Sequence, residues 1–250
     1  KNLIIIILLL SFNSASTGGG YSGASFRYAS DARYLALGGA LTAEGNRGFH
    51  QFANPALAST AETLEFSTSV MSLSLDRSIQ VISLISQLPP DATLGFSFYR
   101  AATDNIESRN YMGQKMGDMS ASDMMGMLTF SRQLNPSFSA GMNMKVVFSD
   151  LDEDLKAKGL AFDLGVLYQP LSWLTLGAKM ENIIGSATWK YEGGGTDSEK
   201  LLPFVSLASS IRILPRTAIL IQSNTYLIPE HDLESQFSMG CEYQFNEKFT

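Results

Sequence analysis

The feature that most constrains this chain is a regular alternation of apolar and polar residues from Leu64 onward. Between 138 and 148 every second residue is apolar, and the residues between are small or polar except Val147. The same pattern recurs at 94–98, 160–168, 174–180 and 237–245. A period of two places the apolar side chains on one face of a strand and the polar ones on the other. The pattern therefore predicts an all-β protein built on a two-faced sheet.

Two architectures use such a sheet: a soluble sandwich, and a transmembrane antiparallel β-barrel whose apolar residues face lipid. Strand length favours the barrel, because a membrane strand needs about 9–11 residues whereas strands of globular proteins average about 5–6. The chemistry of the polar face favours it too, since that face carries Lys145, Asp163, Lys179, Glu181 and Glu242. A wet barrel interior tolerates these charges, and the core of a sandwich does not.

Turn signals divide the alternating part of the chain into ten predicted strands. They cover 64–75, 77–88, 92–101, 124–134, 137–149, 158–169, 173–183, 203–213, 216–226 and 234–245. Tight turns separate longer connections near 101–123, 149–158, 184–203 and 226–234, as outer-membrane barrels require. An eleventh strand is expected to begin at Phe249. Because single-chain barrels have an even number of strands, the sequence is expected to end inside the barrel.

The N-terminus has the features of a secretory signal peptide. Lys1 supplies a positive charge, an apolar run follows at 3–10, and small residues continue to Ser16. The apolar run is about half the ~20 residues that a membrane-spanning helix needs. We therefore expect three regions: a signal peptide over 1–16, an N-terminal hatch segment over 17–62, and an outer-membrane barrel over 63–250 that is incomplete at its C-terminus.

Composition argues against several classes of function. The net charge is −6 and no basic patch occurs, so nucleic acid is not an expected partner. Cys241 is the only cysteine, and neither a metal site nor a cofactor is expected. His50 and His231 lie far apart and no hydrolase or nucleotide motif accompanies them, so the protein is not expected to be an enzyme. The acidic run at 150–154 lacks the features of an EF-hand loop and is interpreted as a solvated outer loop.

Six methionines crowd the predicted 101–123 loop and the start of the strand that follows it. Three of them lie inside the loop itself, namely Met112, Met116 and Met119. Flexible thioether side chains suit an adaptable apolar surface, so these three are candidates for contact with a ligand or a partner protein. Packing within the loop and a lipid-facing strand start are the alternative explanation.

A compact glycine-rich segment precedes the first predicted strand. Its motif residues are Ala32, Arg33, Leu35, Gly38, Gly39 and Ala40, followed by Asn54, Pro55 and Ala56. This order resembles the N-terminal signature of the PorV/PorQ family, which are outer-membrane barrels similar to the FadL family of long-chain fatty-acid transporters. The stretch 240–248 is similar to a hairpin of the same family. The chain departs from the family at 44–47, where paired aspartates normally stand, and at Phe52, where Trp or Tyr is common.

The resemblance implies a barrel of about fourteen strands, with about ten or eleven present here, in the bacterial outer membrane. It also implies a hatch that folds into the barrel, with Arg33, Gly38, Gly39, Asn54, Pro55 and Ala56 as its candidate residues. The leading hypothesis is a non-enzymatic PorV-like role in type IX-like secretion, with secreted cargo or translocon proteins as partners. The alternative is FadL-like transport of hydrophobic small molecules across the outer membrane.

Overall fold

The computed structural model describes residues 21–45, 48–152, 155–191, 193–227 and 234–245. The predicted signal peptide at 1–16, His231 and the strand expected at Phe249 lie outside these residues. None of the helices that the structure describes reaches the length and hydropathy that a membrane crossing requires.

Twelve strands form one antiparallel sheet within the described residues. Their bounds are β1 (Glu65–Leu73), β2 (Arg77–Leu88), β3 (Ala92–Arg109), β4 (Lys115–Asn135), β5 (Phe138–Asp152), β6 (Leu155–Leu171), β7 (Leu174–Glu181), β8 (Ser186–Lys190), β9 (Thr196–Lys200), β10 (Phe204–Leu214), β11 (Thr217–Tyr226) and β12 (Glu234–Tyr243). Strands β1 to β7 pair in sequence order, and β10, β11 and β12 continue the sheet from β7. In the part of the chain that the structure describes, β1 and β12 do not pair, so the sheet is not closed.

Each of the ten predicted strands is present, but three predicted loops also contain strand. Strands β3 and β4 pair through most of the predicted 101–123 loop, which is a long hairpin with its tip at 110–114. The 149–158 connection is mostly strand, and the 184–203 connection contains the β8–β9 hairpin, which pairs with β6. The loop predictions were wrong there because backbone hydrogen bonds between strands continue where the side chains no longer alternate.

The two ends of the sheet have connections of different length. Tight turns at 89–91, 136–137, 172–173 and 215–216 join the strands at one end, which we call the periplasmic end. The opposite, outer end carries the β3–β4 and β8–β9 hairpins. With 18 and 21 residues, β3 and β4 are about twice as long as the ~9–11 residues that a membrane strand needs, so their hairpin projects beyond the membrane.

One face of the sheet, which we call the lipid face, carries exposed apolar side chains. They include Phe96, Leu128, Phe130 and Met144. On this face Arg132 opposite Ala92 bounds the apolar band at the periplasmic end, and Arg100 bounds it at the outer end. The step from residue 92 to residue 100 spans about 26 Å at ~3.3 Å per residue. This length agrees with the apolar band of about 25 Å on outer-membrane barrels.

The opposite face, which we call the polar face, is covered by the chain that precedes β1. This N-terminal segment (21–61 in the described residues) contains 3-10 helices at Ala24–Arg27 and Pro55–Thr60 and short α-helices at Ala32–Ala36 and His50–Ala53. The polar face beneath it is built from small and polar side chains that are buried, among them Ser83, Ser97, Thr129, Ser131 and Asn143. Small residues let the segment approach the strands closely.

Two apolar clusters hold the N-terminal segment on the sheet. In the first, Leu41 and Leu57 of the segment pack with Leu167 of β6 and Leu220 of β11. The second cluster joins segment and sheet at the other side of the same face; it contains Phe49, Ile79, Val81, Tyr99, Met125, Val147, Ala161 and Leu201. The buried core of the protein therefore lies between the N-terminal segment and the polar face.

Candidate functional site

The Asn54-Pro55-Ala56 motif lies deep against the polar face. Asn54 is 0% exposed, and its side-chain oxygen accepts a hydrogen bond from the Ala56 backbone N–H at 3.0 Å. Its Nδ2 donates to the carbonyl of Thr42 at 2.9 Å and to that of Val166 at 3.1 Å. One side chain therefore caps the 3-10 helix that starts at Pro55 and also joins two parts of the segment to strand β6.

Three strand glycines make room for the N-terminal segment, two of them at this motif and Gly177 at Thr42 and Ala43. Gly141 of β5 and Gly165 of β6 face each other, and Gly177 lies on β7. A Cβ atom at Gly141 would lie 2.5 Å from the Pro55 backbone, and one at Gly165 would overlap the Asn54 side chain. Any larger residue would push the segment off the sheet. We did not predict this glycine hollow, although three glycines at polar-face positions of neighbouring strands were visible in the sequence.

The other predicted motif residues lie beside β12. The Arg33 guanidinium forms a two-point ion pair with the Glu242 carboxylate at 2.8 and 2.6 Å, and its Nη1 donates to the Gly45 carbonyl at 2.7 Å. Gly38 and Gly39 have φ angles of 61° and 76°, which turn the chain back after the Ala32–Ala36 helix. The structure thus brings all six motif residues to the interface between segment and sheet, while their role as a hatch stays a prediction.

A cavity of about 270 Å³ lies between the N-terminal segment and the polar face. Its apolar lining includes Phe26 and Phe52 of the segment, Met125 of β4 and Phe204 of β10. Its polar lining includes Gln222, Asn224, Gln236 and Ser238 of β11 and β12, and its charged lining includes Lys145, Asp163, Lys179 and Glu181 of β5 to β7. Sequence reasoning missed this cavity because its walls are far apart along the chain.

Four aromatic rings form one wall beside the cavity. Phe26 and Phe52 flank Tyr99, with ring centroids at 5.9 and 6.3 Å, and Phe49 lies 6.4 Å from Phe52. The Tyr99 hydroxyl donates to the Ser25 carbonyl at 3.1 Å, so the buried phenol is satisfied. Tilted and edge-on ring pairs of this kind give a stiff apolar wall.

The charges that the sequence places on the polar face form a paired network. Lys145 Nζ lies 2.7 Å from an Asp163 oxygen and 3.6 Å from Glu181, and Lys179 Nζ lies 2.5 Å from Glu181. The four side chains are between 3% and 19% exposed. Burial of such charges is tolerable only when they are paired and hydrogen-bonded. We expected a wet interior to hold these residues, but the described structure buries them as ion pairs instead.

This network also holds the N-terminal segment. Lys179 Nζ donates to the Phe52 carbonyl at 3.2 Å, and Asn143 Nδ2 donates to the Gln51 carbonyl at 3.1 Å. These two carbonyls belong to the last turn of the His50–Ala53 helix, where backbone oxygens lack partners within the helix. Side chains of β5 and β7 therefore satisfy the end of a helix that is too short to be stable alone.

His50, one of the two histidines of the chain, is buried at the segment's contact with β1. Its Nε2 lies 3.4 Å from the Glu65 carboxylate, which also accepts from the Gly48 N–H at 2.8 Å. Burial lowers the pKa of His50 below its ordinary value, the Glu65 carboxylate partly opposes this, and the Arg33 guanidinium adds to it. A neutral, enclosed imidazole of this kind suits a structural role.

The three predicted contact methionines lie away from the cavity. Met112 is 66% exposed at the tip of the β3–β4 hairpin, and Met116 is 70% exposed on β4. Met119 is half-buried and pairs with Ile106 of β3. None of the three lines the cavity, and their role in contacting a ligand or partner stays a prediction.

Comparison with known proteins shows which solved structures share this fold. No family model and no curated protein matches the chain. Among solved structures, the Pseudomonas putida toluene transporter TodX is similar at a TM-score of 0.62 and 13% identity, over 88% of this chain and 80% of TodX. The CymD monoaromatic hydrocarbon channel is similar at a TM-score of 0.51 and 12% identity, over 86% of this chain and 88% of CymD. A loop L8 deletion mutant of OmpT, an outer-membrane protein of Vibrio cholerae, has a TM-score of 0.51 and 10% identity over 73% of this chain, which spans 59% of that structure.

At these identities the likeness shows the fold. The predicted transmembrane antiparallel barrel is confirmed, and the barrel fold together with the exposed lipid face indicates the bacterial outer membrane as the location. The findings support the FadL-like half of the sequence resemblance, and nothing in them supports the PorV/PorQ half. The chain therefore has the fold of the outer-membrane barrels TodX and CymD.

Proposed function

We propose that this protein lets hydrophobic small molecules cross the outer membrane, as a FadL-like transporter. The observation that carries the proposal is the cavity with an aromatic wall, formed by Phe26 and Phe52, between the N-terminal segment and the polar face. Sites for small apolar ligands are concave pockets lined largely by apolar and aromatic side chains, with a few polar groups that fix orientation. The neighbours support it as well, since one is named a toluene transporter and another a monoaromatic hydrocarbon channel.

The N-terminal region 17–62 acts as the hatch of this route in our proposal. Its described part covers the polar face and is held there by non-covalent contacts alone: the Arg33–Glu242 ion pair, the Asn54 hydrogen bonds and the Lys179 bond to the Phe52 carbonyl. Such contacts can be exchanged for others when a ligand enters. This reverses the order of the two hypotheses from the sequence, in which secretion led.

Secretion remains a second candidate because of the projecting hairpin. At its tip Tyr111 is 92% exposed, and Met112 and Met116 are exposed beside it. An exposed apolar tip outside the membrane suits contact with another protein, such as secreted cargo or a translocon component. The cavity has no part in this role, so transport is the better-supported proposal.

Uptake of labelled toluene by cells of a Gram-negative host tests the transport proposal. We expect cells that carry the protein to take up toluene several-fold faster than cells with an empty vector. Met125→Trp should remove most of the gain, because the indole would fill the cavity. Met144→Trp is the matched control, since Met144 lies on the lipid face. Equal uptake with and without the protein, at equal outer-membrane levels, would contradict the proposal.

A further inference from the structure

Asn224 of β11 presents a hydrogen-bond donor to the cavity. Its side chain is half-buried and lines the cavity together with its polar-face neighbours Ser206, Gln222, Gln236 and Tyr226. The amide oxygen Oδ1 accepts from Ser206 Oγ at 2.7 Å and from Gln222 Nε2 at 2.8 Å. The amide nitrogen Nδ2 has no partner among the described residues, yet it is not walled in, because part of its surface stays open to solvent. A ligand in the cavity can therefore reach this donor.

A backbone N–H fixes the direction in which the Asn224 amide points. The Thr42 N–H donates to Gln222 Oε1 at 3.0 Å, and a backbone N–H can only donate. The Gln222 oxygen must therefore face Thr42, which turns Nε2 toward Asn224. The Asn224 oxygen must face that donor in turn, so its NH₂ group is the one left for the cavity. Rotating either amide would place two donors face to face.

This donor determines which polar group a ligand needs. The Asn224 oxygen already accepts two hydrogen bonds, so the side chain has donors to offer and no acceptor. A ligand carbonyl oxygen accepts and requires no acceptor in return. A hydroxyl ligand would bring a proton for which Asn224 has no free lone pair, and a pure hydrocarbon would leave the donor unused.

Aromatic rings lie beside the donor and set the size of the ligand body. Phe204 pairs with Tyr226 across β10 and β11, one polar-face position above Asn224, with ring centroids 5.3 Å apart. Phe26 and Phe52 line the cavity from the segment. Apolar cavities of roughly 150 Å³ already hold a benzene ring. A volume of about 270 Å³ therefore has room for one six-membered ring with a small substituent.

The charged lining bears on the charge of the ligand. Lys145 and Lys179 are already paired with Asp163 and Glu181. A carboxylate ligand would have to compete with these buried pairs, whereas a neutral carbonyl needs only the amide donor.

We propose that the cavity selects a small neutral molecule with an aromatic-sized apolar body and a carbonyl-type acceptor, which hydrogen-bonds to Asn224 Nδ2. The proposal rests on the transport function above and names its substrate class. A site that offers a fixed hydrogen-bonding group favours the ligand that uses it over the analogue that cannot. Asn224 is thus the specificity-determining residue, and Gln222 is the residue that positions it.

Acetophenone, ethylbenzene and benzoate test this, because they share one ring and differ in acceptor and charge. Binding is measured by calorimetry on the full chain in lipid nanodiscs, with protein-free nanodiscs as the blank. We expect Asn224→Leu to weaken acetophenone about tenfold while ethylbenzene binds as before or more tightly. Thr225→Val is the matched control, because it removes a polar group from the next residue of β11, which lies outside the cavity lining.

Gln222→Glu tests the fixed orientation and serves as the second variant if Asn224→Leu does not insert into membranes. The new carboxylate still accepts from the Thr42 N–H, but it cannot donate to Asn224. It attracts the Asn224 NH₂ group instead, so the Asn224 oxygen turns to the cavity. We expect weaker binding of acetophenone with Asn224 intact, and no matching loss for ethylbenzene. Unchanged acetophenone binding would overturn the inference.

The remaining outcomes separate the two proposals. Loss of acetophenone affinity alone in the Asn224 variant supports the inference. If the variant changes both neutral probes equally, the donor holds only water, and the inference fails while the transport function stands. Tighter binding of benzoate than of acetophenone to the native chain also overturns the inference, because the lysines would then recognise the ligand. If neither neutral probe binds the native chain, both proposals fail.

Discussion

At the scale of single residues, Asn54 satisfies backbone groups that the N-terminal segment would otherwise bury without partners. Its amide donates to the Thr42 and Val166 carbonyls and accepts from the Ala56 N–H. Buried backbone polar groups need partners, and Asn has a donor and an acceptor on one short side chain. The Pro55 nitrogen that follows carries no hydrogen, so it needs no partner at the start of the 3-10 helix.

His50 makes the docking of the segment depend on pH. Because burial lowers its pKa, the folded protein binds fewer protons at His50 than the unfolded chain does. Neutral His50 therefore contributes stability above its unfolded pKa of about 6.5, and this contribution is lost as the pH falls through the lowered pKa. The Glu65 carboxylate raises the pKa of the ring and the Arg33 guanidinium lowers it. With both charges included the pKa of His50 is still lowered, so the direction of the pH dependence is unchanged.

We expect the free energy of unfolding of the native chain to fall between about pH 7 and about pH 5 by more than that of His50→Gln. Urea unfolding in lipid vesicles at several pH values measures the difference. The two proteins differ only at position 50, so the comparison isolates His50 together with its contact with Glu65. An identical pH dependence of the two proteins would show that His50 does not contribute.

At the scale of elements, strands β5, β6 and β7 are shaped to receive the segment. Gly141 and Gly165 form the hollow that holds Asn54 and Pro55, and Gly177 makes room for Thr42 and Ala43. Glycine normally weakens a strand, and here it marks a close approach of another backbone. The pairing of these strands continues on both sides of the hollow. The sheet therefore keeps its register, and only the missing side chains of the glycines lower its surface.

Gly165→Val should displace the segment, because a Cβ there would overlap the Asn54 side chain. We expect a loss of about 1–3 kcal/mol in the free energy of unfolding and faster proteolysis of the segment. Gly126→Val is the matched control, since nothing lies within 4 Å of a Cβ at Gly126 on β4. Urea unfolding and limited proteolysis in vesicles measure both effects. Equal behaviour of the two variants would refute close packing at Gly165.

At the scale of the whole molecule, the N-terminal segment and the polar face of the sheet bury each other's polar groups in paired form. The segment ends its short helices on side chains of the sheet, and the sheet buries its lysines and carboxylates under the segment. The Arg33–Glu242 ion pair joins residues 209 positions apart, so the segment reaches from β1 to the last described strand. Sheet and segment are therefore expected to be stable only together.

Deleting residues 24–58 should raise the permeability of the outer membrane to small solutes if the segment acts as a hatch. The deletion removes the cover of the polar face and leaves the lipid face intact. Entry of a small polar antibiotic into intact cells measures permeability. Deleting 105–119 from the projecting hairpin is the control, because that stretch does not line the cavity. Unchanged permeability in a correctly inserted deletion variant would rule the hatch out.

Much of the fold could be predicted from the sequence, and little of the site. The strands from Phe138 to Tyr168 were predictable because alternation is encoded in neighbouring residues. The hairpin at 101–123 was not predictable, because its strands pair through backbone hydrogen bonds and its sequence does not alternate between apolar and polar residues. Arg33 and Asn54 were found through a motif, yet Phe204, which lines the cavity from β10, carried no signal of its own.

The sequence by itself determined the two faces of the sheet, the positions of its turns and the membrane as its surroundings. Only the tertiary structure decided that Lys145 pairs with Asp163, that Gly165 receives Asn54, and that a cavity remains beside Phe52. The physical reason is the separation along the chain of the residues that determine each feature. Strand polarity depends on residues two positions apart, whereas these contacts join parts of the chain separated by 18 to more than 100 residues, which only the folded sheet brings together.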